Sequence, residues 1–143
     1  VGAGVAIACV LAWLVALSVY DIRQRRLPNW LTLPGALVVL AVAEVSGRGA
    51  GAVVGAMALA GVYLVVHVIA PPAMGAGDVK LAVGVGGLTG AFGLDAWTLA
   101  AIGAPLLTAL VACVFVARRA DTALPHGPSM CLATLVAVAL VIL

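Results

Sequence analysis

The stretch AGAVVGAMALAGVYLVVHVIA, residues 50–70, contains no Asp, Glu, Lys or Arg. A helix needs about 20 apolar residues to cross the hydrocarbon core of a bilayer, and this run provides them between Arg48 and the Pro71-Pro72 pair. Working outward, further apolar runs cover 1–20, 31–45, 75–94, 97–117 and 129–143, punctuated by charge, Pro and Gly. Six full spans would use about 120 residues, so the connections are short and some helices are short or tilted. The expectation is an all-α polytopic membrane protein, a bundle of six transmembrane helices forming a single domain over 1–143 with no soluble domain.

Composition agrees. Of the 143 residues 66% are hydrophobic and 8% charged, against about 25% charged in soluble domains. Mean hydropathy is +1.31. Seven Lys or Arg and five Asp or Glu cannot coat a soluble globule of this size. Nor can they build the basic footprint of a nucleic-acid binder. Cys9, Cys113 and Cys131 lie within apolar runs and form no CxxC pair, so a zinc ribbon or thioredoxin-like site is excluded by spacing. All three read as small buried residues. The first apolar run lacks a basic flank before it and does not read as a signal peptide.

The basic residues orient the chain. Connections at 21–30, 71–74 and 118–128 share one side of the membrane. With Lys80 at that boundary, this side has Arg23, Arg25, Arg26, Lys80, Arg118 and Arg119, and the other has Arg48. The positive-inside rule puts the basic side in the cytoplasm and both termini outside. Asp21 then ends the first helix at the cytoplasmic edge. A fourth helix starting at Leu81 would be only about 21 Å long. Starting near Gly75 lengthens it to about 30 Å and draws Asp78 into its first turn. Two carboxylates thus lie at similar depth just inside one boundary, where an ionisable group is costly and a functional candidate by default.

The sequence around Asp78 is PPAMGAGDVK, residues 71–80. Gly75 and Gly77 frame the acid without Cβ bulk, so an extended peptide can approach its carboxyl closely. The first connection reads DIRQRRLPNWLT, residues 21–32, and PHGP at 125–128 precedes the last helix. The string D-x-R-x-x-x-L-P-N-x-L-T together with GAGDVKL closely resembles the type IV prepilin peptidases, the GxGD-type aspartic proteases of membranes. PHGP is similar to the proline-glycine-proline turn of that family. The strings come in the family's order on one predicted face, and the resemblance covers nearly the whole chain.

The resemblance implies an aspartic endopeptidase that removes a short basic leader from prepilin-like precursors (pilins, pseudopilins or Flp-type proteins) on the cytoplasmic side of the prokaryotic cytoplasmic membrane. Asp21 and Asp78 match the two catalytic acids. Pro28 and Asn29 match the scaffold of the first acid. Lys80, Gly127 and Pro128 join Gly75 and Gly77 as residues that shape the site. The implied partners are the bilayer and a precursor whose mature part begins with a hydrophobic helix. Longer members carry an N-terminal insertion with paired CxxC motifs, linked to N-methylation. Its expected absence here makes the chain similar to the short, peptidase-only members. S-adenosylmethionine is therefore not expected, and neither is any other cofactor or a metal.

Elementary chemistry is consistent with this. Two carboxyls around one water can hydrolyse an amide: one takes a proton from the water, the other, protonated, polarises the carbonyl. Close acids cannot both ionise cheaply and titrate as a pair. Which acid holds the proton is open, and substrate could close a site whose acids stand apart at rest. Other protease chemistries lack their parts: there is no HExxH and no GxSxG around Ser18, Ser46 or Ser129. Cys131 and His126 make a poor thiol dyad.

Several polar residues have ordinary structural readings. Arg23 and Lys80 stand two positions after an acid, and i and i+2 do not face one another on a helix. Headgroup anchoring suits them, as it suits Arg25 and Arg26. Asn29 reads as a cap of the second helix, Trp30 as an interfacial anchor, and Glu44 and Arg48 as a boundary ion pair. His67 reads as a structural polar contact and Asp95 as a solvated turn. The GxxxG patterns Gly51–Gly55 and Gly86–Gly90 allow close helix contact within the chain. Two rival functions are a small proton-coupled carrier and an inactive pilus-assembly subunit. The carrier needs a polar route across the bilayer, yet Glu44 and Asp95 lie near the far surface.

Overall fold

The computed structural model describes residues 2–24, 28–70, 76–117 and 126–142. Every regular element in them is a helix: α1 (Gly2–Gln24), α2 (Asn29–Val45), α3 (Gly49–Ile69), α4 (Ala76–Ala91), α5 (Leu94–Ala117) and α6 (Gly127–Ile142). Three stretches, Gly4–Gln24, Gly49–Ile69 and Leu94–Val114, are long and apolar enough to cross a membrane. Two apolar helices, Asn29–Val45 and Gly127–Ile142, are shorter. This is the architecture of an integral membrane protein.

Burial is distributed as a lipid solvent requires. Large apolar side chains such as Val15, Leu37, Met57 and Leu106 point outward. The interior holds small residues, Ala52, Ala82 and Ala104 among them, with Leu17, Leu81, Met130 and the polar Asp21, Thr32, Thr89 and Thr134. Lipid tails solvate Leu as well as a protein core does, so helices in lipid associate through close packing and polar contacts. Cys131 is buried as expected, but Cys9 and Cys113 are exposed on the outer, apolar surface.

The middle of the bundle is α4. It packs most extensively on α3 and also touches α2, α5 and α6, while α1 lies against α6 and α2. Its 16 residues give it a length of only about 24 Å. The α3–α4 seam is made of facing glycines. A Cβ on Gly86 would stand 2.5 Å from the Gly55 carbonyl oxygen, and one on Gly90 2.5 Å from that of Gly51. The two GxxxG patterns therefore join helices of the same chain.

Two tryptophans staple the bundle through backbone carbonyls. Trp97 Nε1 donates to the Gly55 oxygen at 3.0 Å. Trp13 Nε1 donates to the Leu31 oxygen at 2.9 Å, in the first turns of α2 just before Pro34. The Trp13 indole lies directly over Gly35 and Gly84, where a Cβ would collide with it.

Helix ends differ from the sequence expectation where tertiary partners intervene. α1 runs through Asp21 to Gln24, because the acid finds a buried partner and need not face water. α4 stops at Ala91, and Gly93 at φ 110° turns the chain straight into α5. That φ lies in the left-handed region, which glycine adopts without strain. Asp95 consequently falls in the first turn of α5 rather than in a loop, a favourable place for an acid. Pro28 caps α2, and its carbonyl accepts the Leu31 and Thr32 N–H groups at 3.1 Å. Asn29 is therefore the first helical residue and not the cap. Arg48 lies over the Phe92 ring, 5.2 Å from its centroid, and not in the expected pair with Glu44. Trp30 is exposed and meets Tyr20 edge-on, with 5.6 Å between ring centroids.

Candidate active site

One end of the bundle gathers the close of α1, the start of α2, the close of α3, the start of α4, the C-terminal half of α5 and the start of α6. Four polar contacts tie it together. Asp21, in the last turns of α1, is 7% exposed. Its Oδ2 accepts the Gly127 backbone N–H at 2.7 Å. Gly127 opens α6, so the carboxyl occupies a helix N-terminus, where orphan N–H groups and the helix dipole receive it. The contact also explains the glycine: a Cβ at 127 would run into the Asp21 carboxyl. Pro128 comes next, in a first turn where its missing N–H leaves nothing unsatisfied.

Asp78 lies in the first turn of α4 and is half-buried. It is close enough to Asp21 for the two charges to act on one another. The structure thus brings together the two acids that the sequence nominates, from helices separated by 57 positions (78 minus 21). Gly77 adjoins Asp78 and is half-buried. Gly75 lies outside the described residues, as do Arg25, Arg26, Arg118 and Arg119.

Lys80 and Asn29 also meet. The Lys80 ammonium donates to Asn29 Oδ1 at 2.8 Å. Lys80 is therefore a tie between α4 and α2 rather than a headgroup anchor alone. Pro28 stands at the same junction as the α2 cap.

Three further residues here, His126, Tyr63 and Thr108, are not among the site residues expected from the sequence. His126 Nε2 is 2.9 Å from the Tyr63 hydroxyl and His126 Nδ1 is 2.7 Å from the Thr108 hydroxyl. The His126 carbonyl accepts the Met130 N–H at 3.0 Å and so starts α6. Tyr63, 3% exposed, is within range of the Asp78 charge. Burial keeps the His126 imidazole below its ordinary pKa of 6.5 and favours the neutral ring. A neutral ring offers one donor and one acceptor, and Tyr63 and Thr108 use both positions. Neither nitrogen is left for the Cys131 thiol. His67 is half-buried in the last turn of α3. Among the described residues no three of His, Cys, Asp and Glu gather as a metal site would require.

A model of the type IV leader peptidase family matches residues 8–143 of the chain. Searches among curated proteins and among solved structures find no match.

Proposed function

Since the chain belongs to the type IV leader peptidase family, we propose that it is a membrane-embedded aspartic endopeptidase that removes the short basic leader from prepilin-like precursors. The observation that carries this reading is the meeting of Asp21 and Asp78 at one end of the bundle, within range of each other's charge. Both arise from segments whose motifs resemble those of the family.

In this reading a water lies between the two carboxyls. One carboxyl, as the base, takes a proton from the water as its oxygen attacks the scissile carbonyl carbon. The other, protonated, donates a hydrogen bond to the carbonyl oxygen and stabilises the charge that develops there. Collapse of the tetrahedral intermediate breaks the C–N bond and returns a proton to the leaving amine. Gly77 lets the substrate backbone come close to Asp78, and Gly75 does the same two positions earlier. The Gly127 N–H holds Asp21 in place. Pro28, Asn29 and Lys80 fix the start of α2 against α4, and Pro128 fits the start of α6. The chain acts as one peptidase unit of six membrane helices, with both termini outside and the site on the cytoplasmic side, where the basic residues concentrate.

The test is cleavage in membranes. The chain is co-expressed with a type IV prepilin-like precursor and the size shift followed, beside Asp21→Asn and Asp78→Asn. Loss of cleavage in both variants at normal membrane levels supports the pair. Cleavage retained in either one moves the chemistry to other residues.

A further inference from the structure

We propose that His126 is a positioning residue which, through Tyr63 and Thr108, sets the spacing of Asp21 and Asp78. The inference rests on the peptidase reading above. It starts from a chain of hydrogen bonds that leads from Asp21 through residues 126 and 127 to Tyr63 and Thr108. Asp21 is bonded to the Gly127 N–H at 2.7 Å. The residue before Gly127 is His126, whose ring is held from two sides by hydroxyls at 2.9 and 2.7 Å. One hydroxyl belongs to Tyr63 of α3, which is within range of the Asp78 charge. The other belongs to Thr108 of α5.

The geometry makes His126 a three-way joint. Its side chain links α3 and α5, and its carbonyl starts α6. A displacement of the His126 backbone would move the Gly127 N–H and the Asp21 carboxyl bonded to it. Tyr63 also lies against the ring, with centroids 5.6 Å apart, and anchors the joint to the helix that packs most closely on α4. The two acids sit on different helices, α1 and α4, which meet directly through the Trp13 ring at Gly84. Beside the apolar packing, the path through His126 adds a polar link made of directional hydrogen bonds. Hydroxyl–imidazole bonds define an orientation, whereas apolar contacts alone leave it loose.

A catalytic pair tolerates little displacement, since a shift of about 1 Å can lower a rate about 100-fold. The test uses the purified full chain in lipid nanodiscs, a precursor substrate, kcat and KM measured separately, and the thermal midpoint of each variant. His126→Phe keeps a ring and removes both bonds. It is expected to lower kcat about tenfold or more while KM stays within about twofold. His126→Gln keeps one donor and one acceptor and should restore most of kcat. Tyr63→Phe and Thr108→Val, each removing one hydroxyl, should lower kcat individually. Tyr63→Phe should add little once His126→Phe is present, because both break the same link.

The proposal is overturned if Gln rescues no better than Phe, or if the Tyr63 and His126 effects simply multiply. It is also overturned if kcat only follows the thermal midpoint. Should His126→Phe fail to accumulate, Tyr63→Phe and Thr108→Val decide the matter, and unchanged kcat in both refutes the joint. Wild-type cleavage with normal rates in all these variants refutes this inference alone. A wild-type chain that cleaves no precursor refutes the peptidase reading and this inference with it.

Discussion

The Gly127 backbone N–H and the Asp21 carboxyl share a buried hydrogen bond of 2.7 Å across 106 positions of sequence. It joins the close of the first helix to the opening of the last. The side chain of a proposed catalytic acid thereby also serves as the cap of a helix, and stability and chemistry meet in one carboxyl.

That double duty separates two substitutions at Asp21. Asp21→Asn keeps an oxygen that can accept the Gly127 N–H, so the thermal midpoint should move little. Asp21→Ala leaves a buried donor unpaired, at a cost of about 1–3 kcal/mol. Both should abolish precursor cleavage. Paired melting and cleavage measurements check this, and an Ala variant as stable as the Asn variant would refute the capping role.

Gly127→Ala probes the same contact from the other side. The new Cβ would stand 3.0 Å from Asp21 Cγ and 3.2 Å from its Cβ. Overpacking of this kind costs about 1–3 kcal/mol, and the acid must move to relieve it. Cleavage should drop by about tenfold or more, measured on protein that still inserts. Full activity in Gly127→Ala would show that the acid has room to spare.

The α3–α4 seam predicts a contrast between glycines. Gly86→Ala and Gly90→Ala each place a Cβ 2.5 Å from a backbone oxygen of α3, which cannot rotate away as a side chain can. Each should lower the thermal midpoint. Gly61→Ala meets nothing within 4 Å, and alanine is the better helix former by about 1 kcal/mol. It should leave the midpoint unchanged or raise it. Equal effects at the three positions would contradict the seam.

Acid should weaken the fold through His126. Its pKa in the folded chain lies below the ordinary 6.5, so the unfolded chain takes up the proton first. The contribution of the neutral ring is complete above about pH 6.5 and is lost as pH falls through that value toward the folded pKa. Melting curves at pH 7.5 and about pH 5.5 should show a larger loss in wild type than in His126→Gln. Asp21, Asp78 and Tyr63 face this region in both proteins, so the difference between them isolates the imidazole. Parallel losses would assign the acid sensitivity to the carboxyls.

Much of this architecture is written locally. The apolar runs announce helices because a span needs only its own residues. The motifs around Asp21, Asp78 and Gly127 are short strings, and the family match over 8–143 agrees with the resemblance they carry. The facing GxxxG patterns were also legible as packing within the chain. Long-range partners were not. Tyr63 sits in an apolar run that reads as plain span, and nothing near it announces His126, 63 positions on. Asn29 has the local look of a cap, but Lys80, 51 positions away, takes its side-chain oxygen. Asp21 looks like a helix stop because its buried partner lies at the other end of the chain.

The central place of α4 bears on how the protein is made. Its first turns carry Asp78 and Lys80, and it is short for a span, so it is poorly suited to leaving the translocon for lipid unaided. α3 emerges from the ribosome first and presents the glycine-lined surface on which α4 rests. Insertion of the two as one hairpin would spare α4 any solitary exposure to lipid. In the proposed topology a chain from which α3 is deleted should leave α4 at the outer surface with a reporter fused after α4 still outside, and a reporter found inside would show that α4 crosses unaided.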